Sequence, residues 1–180
     1  VDRLTDITDQ YLRLVRLPEP KQKPTDFAEL VRDVAVFLAP EMERANVLTE
    51  LSLQPGLLPI DEGQLRQALL NLCRNAREAM PEGGQLSIEL ALSPSDAVLR
   101  MSDSGSGIAE SEREKIFDLF YTTKQHGTGL GLPLTQQIVA AHGGRIRCLP
   151  RVGGGTTFEV WLPRAELGTT QVAHAADKTP

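Results

Sequence analysis

Glycine placement constrains this chain more than any other feature. Most of its 15 glycines fall in five clusters: Gly83–Gly84, Gly105 with Gly107, Gly127 with Gly129 and Gly131, Gly143–Gly144, and Gly153–Gly155. Glycine weakens the interior of a helix or strand, so regular elements end at such clusters. The same clusters mark places where backbone approaches something closely.

Between the clusters the apolar periodicity is regular. Residues 1–16 carry Val1, Leu4, Ile7, Tyr11 and Leu14 at the spacing of a coiled-coil seam. Two heptads do not hold a helix alone, so this segment needs a partner. Pro18, Pro20 and Pro24, with Lys21 and Lys23, read as an extended connection over 18–24 and place the domain boundary there. Thr25 or Asp26 caps a helix that runs to about Ala45. Val47, Thr49, Leu51 and Leu53 alternate as a strand, and Pro55-Gly56 turns the chain. A second helix spans about 62–80, followed by strands over 85–92 and 98–103. A third helix spans 133–142, and two last strands span 145–149 and 156–162. From about residue 165 the small, polar composition predicts a disordered tail. The expected domain, 25–164, is thus a two-layer α/β (α+β) sandwich. A mixed, mostly antiparallel sheet of about five strands has one face covered by three helices.

Composition narrows the function. There are 24 acidic against 19 basic side chains, a net charge of −5, and 4% aromatic residues. An acidic, aromatic-poor surface argues against nucleic acid. No apolar run approaches the roughly 20 residues that span a bilayer. Cys73 and Cys148 read as reduced core thiols of a cytoplasmic protein.

Three segments carry candidate chemistry. On the helix 62–80, Leu65, Ala68, Leu69, Leu72, Cys73, Ala76 and Met80 form the core stripe. Gln67, Asn71, Asn75 and Glu78 line the neighbouring face, where amide and carboxylate oxygens suit either solvent or a hard cation carrying phosphates. In the strand 98–103, alternation turns Leu99, Met101 and Asp103 inward. A carboxylate there needs a partner, and the Gly105-x-Gly107 that follows suits a pocket for an exocyclic amine. The loop Gly127-Thr128-Gly129-Leu130-Gly131-Leu132 runs into a helix whose first turn holds Pro133. Such a junction is an anion site, without the Gly-Lys-Ser/Thr of a Walker loop or the preceding strand of a Rossmann turn. Phe117, Phe120 and Tyr121 could anchor a lid, and Lys124 could neutralise phosphate. His142 reads as helix-end dipole and capping chemistry. His126 and His174 lack any neighbouring metal-ligand pattern.

In this order and spacing the motifs resemble the ATP-binding domain of bacterial two-component sensor histidine kinases, of the ATPase superfamily that includes gyrase, Hsp90 and MutL. The matching segments are Leu70–Ala76, Asp103–Ile108, Phe117–Phe120, Gly127–Leu132 and Gly153–Phe158, within about 25–163. Thr122-Thr123-Lys124 and the short lid are similar to the nitrogen-regulation subgroup. The resemblance implies the Bergerat fold, with ATP and Mg²⁺ as cofactors. It implies that Asp103 accepts from adenine N6 and that Gly105, Gly107 and Ile108 shape the adenine side. Asn75 would ligate Mg²⁺ with Asn71 near the phosphates. The triphosphate would lie on Thr128, Gly129, Leu130 and Gly131, with Asn75 and Lys124 as the catalytic pair, and Thr156 would reach adenine through water. Residues 1–17 resemble the end of the second helix of a dimerisation and phosphotransfer hairpin. Implied partners are that hairpin's phospho-accepting helix and a response-regulator receiver domain, within a homodimeric parent. No membrane contact by these residues is implied.

Two departures stand out. Leu119 replaces a proline found in many relatives, and no histidine here has the acidic neighbour of a phospho-acceptor. Two other readings remain open: a serine kinase of the anti-sigma type, and a non-catalytic, nucleotide-gated interaction module.

Overall fold

The computed structural model describes residues 16–124 and 127–164. The expected helix 1–16 and the tail from 165 therefore lie outside the described residues, apart from Arg16. The elements are β1 (Lys23–Asp26), α1 (Phe27–Arg44), β2 (Val47–Leu53), β3 (Leu57–Ile60), α2 (Glu62–Glu78), β4 (Gly84–Leu92), β5 (Asp96–Asp103), α3 (Gly131–Ala141), β6 (Arg145–Pro150) and β7 (Thr156–Pro163). Single 3₁₀ turns at Glu110–Glu112 and Lys115–Phe117 interrupt the long connection from β5 to α3.

Five strands form the main sheet in the order β2-β4-β5-β7-β6. β2 runs parallel to β4, and the other three pairings are antiparallel. Leu86, Ile88, Leu90, Leu99, Met101, Phe158, Val160 and Leu162 are all buried, on the alternate positions that period-2 pleating requires. Against them pack Leu30, Val34 and Leu38 of α1, Leu65, Leu69, Leu72 and Cys73 of α2, and Leu134 and Ile138 of α3. This is the expected mixed sandwich with helices on one face.

Asp26 caps α1 through its Oδ1, which accepts from the amides of Ala28 and Glu29 at 2.9 and 3.3 Å. Asp61 caps α2 in the same way, taking the Gln64 amide at 3.0 Å. Each satisfies backbone donors that a helix N-terminus leaves unpaired.

The connection 18–24 departs from expectation. Its end pairs with β3 as a two-stranded antiparallel sheet in which Pro24 stands opposite Pro59. Strands of four residues with paired prolines show neither readable alternation nor a full ladder, so only tertiary packing reveals them. Upstream, the Lys21 amide donates to Asp61 Oδ2 and Gln64 Nε2 donates to the Pro18 carbonyl, both at 2.9 Å. The segment is therefore fastened to the first turn of α2. α3 also starts earlier than expected, at Gly131, because the fully buried Leu130 draws the loop into the core and accepts from the Leu134 amide at 3.1 Å. Pro133 remains in the first turn, where no amide hydrogen is needed.

Candidate functional site

One cavity of about 480 Å³ lies between α2, the end of β5, the start of β7 and the loop before α3. That volume is within the usual range for small-molecule sites. Of the residues expected at the site, Asn71, Asn75, Asp103, Gly107, Ile108, Lys124, Thr128, Gly129, Gly131 and Thr156 all line it. Gly105 and Leu130 do not. Gly105 is pressed against Ala79, whose carbonyl oxygen would be 2.5 Å from an added Cβ, and Leu130 points into the core.

The deep wall is built from the sheet. Asp103 is the last residue of β5 and pairs in register with Thr156, the first of β7. Both are buried, at 3% exposure. Asp103 Oδ1 accepts from the amides of Gly105 at 2.9 Å and Thr156 at 3.3 Å. Burial pushes the Asp103 carboxyl above the ordinary carboxylate range; the amides of Gly105 and Thr156 and the charge of Arg151 oppose it without cancelling it. Gly155 makes this arrangement possible. Its φ is +102°, and an added Cβ would lie 2.0 Å from the Asp103 carbonyl oxygen.

The opposite wall is helical and more open. Asn71 Nδ2 donates to the Gly131 carbonyl at 3.2 Å, and Thr135 Oγ1 reaches the same oxygen at 2.9 Å, joining α2 to the first turn of α3. Gly129 has φ +66°, and its backbone packs so closely on Phe120 that a Cβ would clash at 2.4 Å. The Phe120 amide donates to the Gly129 carbonyl at 3.0 Å. Lys124 does not project freely as a surface lysine. Its Nζ donates to Asn75 Oδ1 at 2.9 Å and to Glu78 Oε2 at 2.5 Å.

Tyr121, expected as a lid anchor, lines the cavity, and other lining residues carried no sequence signal. Tyr121 Oη donates to Glu112 Oε1 at 2.9 Å, bracing the start of the loop against the first 3₁₀ turn. Ser106, Glu112, Ile116 and Arg74 also face the cavity. Glu78 was placed on the correct face, but its ion pair with Lys124 spans 46 residues and has no local signal.

His142 is the C-cap of α3, as expected for capping, but it is not a cation facing the helix dipole. The ring is buried; Nδ1 meets the Ile138 carbonyl at 2.7 Å and Nε2 accepts from the Asp61 amide at 3.0 Å. This pairing assigns a neutral ring with its proton on Nδ1. The imidazole thus bridges the end of α3 to the start of α2. Asp61 is itself desolvated, which raises its pKa. The amides of Gln64, Lys21 and Gly63 outweigh that and hold it below the usual range. Both cysteines are free. Burial pushes the Cys73 thiol up to about 12 and the Cys148 thiol up to about 11, so neither is a thiolate nucleophile at neutral pH.

No group of three or more His, Cys, Asp or Glu side chains among the described residues is arranged to hold a metal ion. The cavity instead presents amide oxygens, the buried Asp103 carboxylate, the charged side chains of Arg74, Glu78, Glu112 and Lys124 at its more open side, and glycine-rich backbone at a helix N-terminus. That donor set fits a polyphosphate carrying its own hard cation.

The comparisons agree with this architecture. A family model described as histidine kinase-, DNA gyrase B-, and HSP90-like ATPase matches residues 60–166. The chain belongs to this ATPase family. Sporulation kinase C of Bacillus subtilis (strain 168) is 31% identical over 166 residues, covering 91% of this chain and 39% of that protein. Sensor histidine kinase ZraS of Escherichia coli (strain K12) is 32% identical over 164 residues, covering 90% of this chain and 35% of that protein. Full-length ShkA in complex with AMPPNP superposes with a TM-score of 0.81 at 29% identity, over 91% of this chain and 36% of that one. Histidine kinase ThkA in complex with response regulator protein TrrA gives 0.80 at 27% identity, over 91% of this chain and 48% of that one. The chain therefore spans about two fifths or less of the curated relatives it matches. This histidine-kinase ATPase domain is homologous to sensor kinases, and these relatives do not single out a nitrogen-regulation subgroup. No helix among the described residues is long and apolar enough to cross a membrane.

Proposed function

We propose that this domain binds Mg²⁺-ATP and presents its γ-phosphate to a histidine on a dimerisation helix outside the described residues, for onward transfer to a response-regulator receiver domain. One observation carries the reading. A single cavity holds a buried, amide-braced carboxylate at one end and Asn75 with Lys124 at the other, joined by glycine-rich backbone.

Asp103, fixed by Gly105 and Thr156, is oriented to accept from an exocyclic amine, and Gly107 and Ile108 flank the base. Backbone amides of the Thr128–Gly131 segment face the phosphates. Asn75 and Lys124 lie where charge must be neutralised as the phosphoryl group leaves. The bound cation supplies charge neutralisation on the phosphates. Catalysis would then rest on positioning and electrostatics rather than on a protein nucleophile. The likeness to ThkA in its complex with the response regulator protein TrrA supports a receiver domain as eventual partner. The likeness to ShkA in its complex with the nucleotide analogue AMPPNP supports ATP as the ligand class.

The test is phosphotransfer in trans. The chain is incubated with labelled ATP, Mg²⁺ and a sensor-kinase hairpin that contains its histidine. Acid-labile label on the hairpin, dependent on Mg²⁺ and absent with Asp103→Asn, is expected. Acid-stable label on a serine, or no transfer despite nucleotide binding, would overturn the kinase assignment.

A further inference from the structure

We propose that Glu78 is a positioning residue that competes with phosphate for Lys124, and that nucleotide binding requires Lys124 to exchange its partners on α2. The proposal rests on the nucleotide reading above and adds a gate to it.

Asn75 and Glu78 are three residues apart on α2, so both side chains rise from one face of the helix. Lys124 lies across the cavity mouth and spends two of its three N–H donors on them. The ammonium therefore sits on the amide oxygen that would face a hard cation, and the carboxylate stands where phosphate charge would otherwise pair with Lys124. The ammonium and the Glu78 carboxylate neutralise each other in this latch. A cation approaching Asn75 Oδ1 meets the Lys124 ammonium at the same oxygen, and like-charge repulsion favours release of Lys124 as the cation enters.

The latch also orders the loop that carries it. The Lys124 amide donates to Thr122 Oγ1 at 3.1 Å, and the Gly127 amide donates to the Lys124 carbonyl at 3.2 Å. Gly127 packs on Thr122 so tightly that a Cβ would come within 2.3 Å of its hydroxyl. The Lys124 side chain ties this backbone to α2. The pair is half-exposed, with side-chain exposures of 40% and 44%. Its strength is accordingly modest and suits a contact that must exchange.

The test uses the intact chain and its Glu78→Gln, Lys124→Met and double variants. A non-hydrolysable ATP analogue is titrated calorimetrically in EDTA and then in Mg²⁺. Glu78→Gln should tighten metal-free binding by about fivefold, because Lys124 is released to the phosphates. The same substitution in the Lys124→Met background should change nothing. An equal gain in both backgrounds means only through-space charge is at work and overturns the latch, as does no gain in either. A second readout needs no nucleotide. Glu78→Gln should speed hydrogen exchange at the Lys124 and Gly127 amides several-fold, and unchanged exchange would refute the latch. Failure of the unsubstituted chain to bind the analogue in Mg²⁺ would instead refute the nucleotide reading.

Discussion

The two ends of the cavity are built by different physics. At the Asp103 end, the carboxylate is buried at the junction of two paired strands, and its Oδ1 is held by two backbone amides. At the Lys124 end, exposed side chains satisfy one another across a helix face and a loop. One wall is rigid because its hydrogen bonds come from the sheet that makes the core. The other is exchangeable because its contacts are between flexible groups in partial contact with water. In the proposed nucleotide reading, the rigid wall would orient the base and the exchangeable wall would admit and release the charged tail.

Several substitutions would break or sharpen this contrast. Asp103→Asn keeps an oxygen for the Gly105 and Thr156 amides but loses the charged acceptor. We expect nucleotide affinity to fall by about a hundredfold, with the melting temperature little changed. Undiminished affinity by calorimetry would remove Asp103 from base recognition. Gly155→Ala strikes the same wall through its backbone. A positive φ and a clash with the Asp103 carbonyl should cost about 3 kcal/mol of stability in a denaturant melt. An unchanged midpoint would show that the rigid wall yields. His142→Leu leaves the Asp61 amide without its acceptor and should cost about 1–2 kcal/mol by the same measurement.

The raised pKa of Asp103 makes opposite predictions for ligand and fold. Its folded-state pKa lies above the unfolded value, so the folded chain binds the proton more tightly. Its contribution to stability therefore rises as pH falls through that window, and is lost as pH rises through it. Nucleotide affinity must run the other way, weakening as pH falls into the range just above ordinary carboxylates. The affinity of Asp103→Asn should lack this step; parallel profiles for the two proteins would exclude Asp103 as its source. The smallest effect belongs to the exchangeable wall. Lys124→Met should weaken Mg²⁺-nucleotide binding only several-fold and leave the melting temperature in place. A large loss of stability would mean that this wall is structural after all.

The contrast also explains what could be read in advance. The inward position of Asp103 followed from the alternation of Leu99 and Met101, because strand pleating is a local rule. The stripe of Asn71, Asn75 and Glu78 followed from helical spacing for the same reason. The position of the Gly127–Gly131 loop at the start of α3 was legible because glycine clusters and a first-turn proline are local signals, and in the structure it lines the cavity. By contrast, nothing local in Lys23–Asp26 or Leu57–Ile60 marks a strand pair, since prolines oppose each other there. Nor could local pattern show that His142 joins α3 to Asp61, 81 residues away in sequence.

The sequence by itself determined the order of the three helices and the five main-sheet strands, the inward carboxylate and the glycine loop, because each rests on periodicity or backbone freedom within a few residues. Only the tertiary structure decided that segment 18–24 is strapped to α2, that His142 is a neutral bridge, and that Lys124 rests on Asn75 and Glu78. Those contacts join groups far apart along the chain. Their energies depend on burial and on which partner lies within about 3 Å, and neither exists until the sheet and helices have packed.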